Sequence, residues 1–244
     1  MSDDAHRPWP VPRAPWAMRM SWHELCFLHW RVPPDALRPL VPRELDLETR
    51  DGAAWIGVVP FRMTDAAPRG VPRIPPVTDF AELNVRTYVT VGGKPGVWFF
   101  SLDATQPLAV RVARGGVHLP YLDARIAIAR DGDAIDYRSV RTHLGAGVAE
   151  LAVRYRPTGP PAPPEPGSLE EFLTERYCLY AATRRGRLTR LEVAHRPWPL
   201  QLAEAEVECC TMTQPLGIEL AAAPDHARYA HRLDVVAWLP RRVR

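Results

Sequence analysis

Glu82, Asn84 and Arg86 follow one another at intervals of two, and fifteen residues further on Ser101 and Asp103 repeat the spacing. Two carboxylates, a guanidinium, an amide and a hydroxyl form a set able to move protons and hold an anion. Carboxylates kept close together repel when both ionise, so one pKa rises and a proton carrier becomes available near neutrality. A planar guanidinium grips a carboxylate at two points, and the amide and hydroxyl can orient the polar groups of a substrate.

The element that must position them reads as a β-hairpin over 80–104. With a side-chain period of two, Glu82, Asn84, Arg86 and Tyr88 point one way along the first strand, and Ser101 and Asp103 share a face along the second. Gly92 and Gly93 supply the positive φ angles of a tight turn, whether the loop is Gly-Gly alone or the longer Gly-Gly-Lys-Pro. Both loops pair even positions with odd ones. The tighter register sets Glu82 opposite Asp103 and Asn84 opposite Ser101, and a bulge would break this parity. The shared polar face is either the solvated side of an open sheet or the lining of a closed barrel enclosing a ligand site.

Other residues could extend such a site. Arg111 and Arg114, on a short helix expected over 106–116, are spaced to share a face and add to an anion site. Tyr121 and Tyr177 offer phenol hydroxyls, and His195 lies at a strand end beside a proline turn, as an acid, a base or a loop cap. Lys94 is the sole lysine and sits at the hairpin tip, where water keeps an ammonium protonated and unfit for imine formation. His23 and His29 are six apart on a strand, which is not the spacing of a metalloprotease helix, so no metal site is expected. No phosphate loop, dinucleotide fingerprint, Gly-x-Ser-x-Gly or paired-cysteine zinc motif is present, and no cofactor is expected.

The rest of the chain bounds the answer. A length of 244 residues, 46% hydrophobic and 24% charged, suits one globular domain over 17–244 preceded by an extended Pro- and Trp-rich arm over 1–16. The net charge of +3 rests on scattered arginines and points away from nucleic acid as a partner, with the closing Arg241-Arg242-Val243-Arg244 read as a solvated tail. Cys26, Cys178, Cys209 and Cys210 fit a reducing cytoplasm, the N-terminus lacks a secretory pattern, and no run is apolar enough to span a membrane. Association into a homo-oligomer is left open. Strands are expected over 18–31, on either side of Asp51-Gly52, on either side of Asp131-Gly132, over 148–155, and repeatedly after residue 178. The proline-rich stretch 156–167 reads as an exposed loop, and Ser168 with Glu171 opens a helix as a capping box. The pattern is mainly β with a few short helices, an antiparallel barrel or sandwich.

The segments FLHWRVP (27–33), DGAAWIGVVPF (51–61), FAELNVRTYV (80–89), GVWFFSLDA (96–104), LPYLDA (119–124), LTERYCLY (173–180) and HRPWPLQ (195–201) resemble, in order and spacing, the YqjF-like family of uncharacterised proteins within the acetoacetate-decarboxylase-like superfamily. The resemblance implies a closed, cone-like antiparallel β-barrel around a central cavity. It implies Glu82 as the counterpart of a cavity glutamate and places Tyr121 where the decarboxylases carry their imine-forming lysine. The expectation is a small-molecule enzyme with lyase- or hydratase-like proton chemistry on an oxygenated, anionic substrate and without a Schiff base. In it Glu82 is the acid or base, Asp103 its electrostatic partner and Arg86 the anion clamp, with Asn84, Ser101 and Tyr121 as hydrogen-bonding groups. The alternatives are a non-catalytic small-ligand-binding protein and an interaction module whose Trp-rich arm docks on a partner.

Overall fold

The computed structural model describes residues 6–107, 111, 115, 117–183 and 185–243. Long strands dominate: β1 (Met18–Val32), β3 (Ala54–Pro68), β4 (Phe80–Val91) and β5 (Lys94–Ala104), with the two-residue β2 (Asp46–Leu47) between the first pair. They are followed by β6 (Tyr121–Asp131), β7 (Ala134–Arg141), β8 (Glu150–Ala162), β9 (Cys178–Ala182), β10 (Leu188–Ala194), β11 (Leu200–Cys210), β12 (His226–Ala237) and β13 (Arg241–Arg242). Short helices α1 (Pro34–Leu37), α2 (Pro75–Thr78) and α3 (Leu169–Thr174) decorate them. The expected mainly-β class with few helices holds.

The closed antiparallel barrel does not. A central layer in the order β12-β1-β3-β4-β5 is antiparallel throughout, but it branches at both margins. The outer edge of β5 is divided between two parallel partners, β6 at Leu102–Ala104 and β9 at Val97–Trp98. The outer edge of β12 is divided between β11 at Arg228–Ala230 and β10 at Val236–Ala237. One branch runs β6-β7-β8-β11 and the other β9-β10, so the sheet forms an irregular, mixed ring in place of a closed barrel. A barrel needs each strand to keep one neighbour on each side, and β5 and β12 do not.

Because a branch covers each face of the central layer, β1 and β3 are buried on both sides. Leu25–Leu28 of β1 and Ala54–Phe61 of β3 run without a polar side chain where a one-sided strand would alternate. Leu28, Val58 and Val85 pack with Tyr137, Leu151 and Tyr155 on one face, whereas Phe27, Val59 and Phe61 pack with Val193, Trp198 and Val235 on the other. The proline-rich stretch is not wholly a loop. Its first half extends β8 to Ala162 and pairs with β11, with Gly159, Pro160 and Pro161 exposed at the margin, where a missing N–H is tolerated.

Helix α3 starts as its capping residues dictate: Ser168 Oγ accepts from Glu171 N at 3.1 Å, and Glu171 Oε2 accepts from Gly167 N. Its Leu169, Phe172 and Leu173 face Tyr88, Val97 and Phe99. The described part of the N-terminal arm lies along the body. Arg7 donates to Val193 O, Trp9 Nε1 donates to Glu192 at 3.0 Å, and Trp238 Nε1 donates to Ala14 O at 2.7 Å. No helix among the described residues is long and apolar enough to cross a membrane.

Candidate functional site

The hairpin closes on Gly92-Gly93, with Val91 opposite Lys94, and keeps the tight register as far as Arg86 opposite Phe99. There the ladder shifts by one, leaving Phe100 as an extra residue, so Val85 meets Ser101, Leu83 meets Asp103 and Glu82 meets Ala104. Paired residues project to the same face, so the bulge moves Ser101 and Asp103 to the face opposite Glu82 and Asn84. The expected single polar cluster becomes two, back to back across the sheet.

The first cluster is built from rows that cross the central layer. Phe61, Glu82 and Ala104 form one row; Val59, Asn84 and Leu102 the next; Gly57, Arg86 and Phe99 the third. Tyr121 joins the Asn84 row by parallel pairing with Leu102. His29 and His226 extend the Gly57 row onto β1 and β12. Gly57 is required here: a Cβ would stand 3.0 Å from His29 Nε2 and 3.4 Å from Arg86 Cγ, so its absence lets both side chains lean together.

Glu82 is 1% exposed. Burial pushes its carboxyl up to about 8, the nearby Asp103 charge adds to the rise, and hydrogen bonds from Tyr121 and Asn84 oppose it. Tyr121 Oη donates to Glu82 Oε2 at 3.1 Å, and Tyr137 Oη donates to the Glu82 main-chain oxygen at 2.8 Å. The residue is therefore a neutral acid over much of the physiological range, its carboxyl held by one phenol and its main chain by another.

Arg86 donates from one terminal nitrogen to Leu173 O at 3.1 Å, and its guanidinium carbon lies 5.5 Å from the Phe27 ring and 5.7 Å from the Tyr88 ring. His29, fully buried, has Nε2 2.6 Å from Tyr88 Oη, and burial beside Arg86 and His226 holds its pKa well below the usual imidazole value. Among the described residues, Asn84 Oδ1, Arg86 Nε and His29 Nδ1 are buried and have no hydrogen-bond partner. Native interiors seldom leave such atoms unpaired, and three on one face make this the candidate site.

The second cluster is closed. Arg141 grips Asp103 at two points, Nε to Oδ2 at 2.8 Å and a terminal nitrogen to Oδ1 at 2.9 Å, and donates from that same nitrogen to Ser101 Oγ at 2.9 Å. Burial pushes the Asp103 carboxyl up, and the Arg141 hydrogen bonds and charge pull against it. Asp103 touches Glu82 only through its field, and Ser101 not at all. Neither shares Glu82's face.

Residues 19–234 match the family DUF2071, described as an uncharacterized conserved protein. The chain belongs to this family. The uncharacterized protein YqjF of Bacillus subtilis (strain 168) is 45% identical over 228 residues, covering 93% of each chain. Among solved structures, the enduracididine biosynthesis enzyme MppR complexed with pyruvate superposes with a TM-score of 0.66 at 15% identity, over 98% of this chain and 93% of that one. Acetoacetate decarboxylase from Legionella pneumophila superposes with a TM-score of 0.63 at 13% identity, over 99% and 94%. At these identities the likeness is one of fold.

On this fold, Glu82, Asn84, Arg86 and Tyr121 come together, whereas the other sequence-derived candidates stand apart. Arg111 is exposed, and Arg114 lies outside the described residues, as does much of the helix expected over 106–116. His195 is buried against Tyr177 and Trp198 with Nδ1 2.7 Å from Arg196 O, and burial lowers its pKa to about 4. It adjoins the site only through Trp198, which packs edge-on against Phe27. Tyr177 donates to Glu175. Lys94 Nζ lies 3.4 Å from Glu192 Oε1 at the far end of the hairpin, about 30 Å from the Glu82 row at a strand rise of about 3.3 Å per residue. His23 instead meets Thr64 Oγ1 at 2.9 Å, apart from His29.

Two contributors escaped the sequence reading. The His29–Tyr88 pair is one, although an imidazole at an alternate position in an apolar run signals an inward polar group. Arg141 is the other, yet Ile135, Tyr137, Ser139 and Arg141 alternate inward along β7.

Proposed function

We propose that this protein is a cofactor-independent enzyme acting on a small, oxygenated, anionic molecule by proton transfer, of the lyase or hydratase kind, without a Schiff base. One observation carries the reading: a buried, neutral Glu82 held by Tyr121, on one face with the unpaired Asn84 Oδ1 and Arg86 Nε. Arg86 binds the substrate's negative charge. Asn84 and His29 hydrogen-bond its polar groups. Glu82, poised near neutrality, delivers or removes the proton, and Tyr121 holds the carboxyl and steadies the ionised form. The resemblance to the decarboxylases makes Tyr121 the counterpart of their imine-forming lysine, and the sole lysine is a hairpin away, so imine capture of a carbonyl has no amine here. The free cysteines support a cytoplasmic setting.

The solved relative that binds pyruvate suggests the first molecules to try. Pyruvate and acetoacetate incubated with the protein in deuterium oxide should lose their carbon-bound protons, read by proton NMR, and Glu82→Gln should slow this at least 100-fold. Borohydride should trap nothing. If the wild-type protein exchanges neither compound, and mass spectrometry of the purified protein finds a carboxylate that it leaves chemically unchanged, the same face serves a non-catalytic binding protein. The three unpaired atoms support that second reading equally, since they speak of binding and not of turnover.

A further inference from the structure

Three buried polar atoms without partners fall in one row of the sheet. His226 on β12 is opposite His29 on β1, His29 is opposite Gly57 on β3, and Gly57 is opposite Arg86 on β4. His226 Nε2, His29 Nδ1 and Arg86 Nε have no hydrogen-bond partner among the described residues. Arg228 stands two residues beyond His226 and opposite Phe27, so it projects to the same face. Burial first, and the nearby arginines second, lower both imidazole pKa values, that of His226 to about 4, so neither ring is charged near neutrality.

Helix α3 packs against this end of the face and makes its charge countable. Three arginines meet the helix: Arg86 donates to Leu173 O at 3.1 Å, Arg176 to Phe172 O at 2.7 Å, and Arg228 to Glu170 Oε1. Two carboxylates answer them, Glu48 on Arg176 and Glu170 on Arg228. The neighbouring acids are engaged elsewhere, Glu171 on Gly167 N, and Glu175 on Trp198 N at 2.8 Å and on the Tyr177 hydroxyl. Of the three arginines, Arg86 has no carboxylate partner among the described residues. The balance is one positive charge, and it lies on the guanidinium already assigned as the anion clamp.

We propose that this end of the site accepts one carboxylate and rejects two, and that Glu170 is the residue that sets this specificity. The inference rests on the proposed binding of an anion at Arg86. A first carboxylate neutralises Arg86, whose Nε offers it a charge-assisted hydrogen bond. A second has two directions open to it. The rows toward Glu82 offer it no cation. Toward β12 it meets an Arg228 already held by Glu170, whose Oε1 also lies 3.7 Å from His226 Nε2, so it would leave water to stand beside a fixed like charge. Repulsion built against the wrong ligand discriminates where attraction to a shared carboxylate cannot. The class selected is therefore the monocarboxylic oxo or hydroxy acid, in preference to the dicarboxylic acid of the same length.

The probes are 2-oxopentanoate and 2-oxoglutarate, equal in carbon number and different only in a terminal methyl or carboxylate group. Calorimetry on the full-length protein at constant ionic strength should show the monoacid bound at least 10-fold more tightly. Glu170→Gln, which uncovers Arg228, should tighten the diacid at least 10-fold and change the monoacid less than 3-fold. Adding Arg228→Gln should return the diacid to its wild-type weakness, a reversal that a merely structural ion pair does not produce. The wild-type comparison needs no variant to fold, and equal binding of the two acids, or binding of neither, overturns the proposal. So does a folded Glu170→Gln protein that keeps the wild-type preference. Selection of the monoacid without proton exchange leaves this inference standing and removes the proposed reaction, whereas proton exchange without selection does the reverse.

Discussion

Glu82 binds a proton more tightly in the folded chain than in the unfolded one, because burial penalises its charge. The folded state therefore carries the extra proton between the ordinary glutamate pKa and about 8, and stability falls as pH rises through that window. The total is on the order of a few kcal/mol, at about 1.4 kcal/mol per pKa unit. Glu82→Gln keeps the shape and removes the titration. Its stability relative to wild type should climb steadily from pH 5 to pH 8.5, measured by urea unfolding, and equal pH slopes for the two proteins would refute the assignment. Glu82, Asn84 and Arg86 were legible in the sequence because a two-residue period is a local property of a strand. The Asp103–Arg141 pair was not, since its partners are 38 residues apart and meet only when β7 folds back beside β6.

At the scale of elements, the diglycine turn was readable and the bulge was not. Two glycines at positive φ announce a tight hairpin, but the extra residue at Phe100 is set by how β5 must bend to serve two partners on its outer edge. One shifted residue moved half of the anticipated cluster to the other face. Gly57 shows how tightly the rows are matched. Gly57→Ala should push the His29 ring away from Tyr88 and cost roughly 1–3 kcal/mol, and should weaken ligand binding beyond that loss of stability. Gly96→Ala should be worse, since its Cβ would lie 2.7 Å from the Cys178 carbonyl oxygen, a backbone atom that cannot turn aside. Denaturant midpoints for the two variants test the order. A Gly57→Ala protein as stable as wild type and equally able to bind would remove Gly57 from the account.

For the whole molecule, mainly-β composition and single short helices followed from turn residues and alternation, whereas the branched ring did not. Which strands share an edge depends on contacts between distant segments, and no local pattern shows that β5 and β12 each hold two neighbours on one side. The unbroken apolar runs at Leu25–Leu28 of β1 and Ala54–Phe61 of β3 were the available hint, because a strand buried on both faces needs a layer on each. The arm is part of the same construction. Arg7 lies over the Tyr177 ring at 4.6 Å, and Trp16 receives Arg69 at 5.0 Å, so the arm packs its tryptophans on the body, as its composition suggests, and not on a partner as in the interaction-module alternative. Removing residues 1–16 should lower stability by a few kcal/mol, on the order of the apolar area uncovered, with the loss read from thermal unfolding. An unchanged melting temperature would mean that the arm is only draped on the surface.

In the proposed function a buried glutamic acid, neutral at working pH, organises the candidate face. Carbon-13 NMR of the protein labelled at glutamate side-chain carboxyl carbons, assigned by comparison with Glu82→Gln, measures it directly. The Glu82 signal should titrate near pH 8, apart from the exposed glutamates. A Glu82 carboxyl titrating among those others, close to the ordinary value of about 4.3, would contradict it.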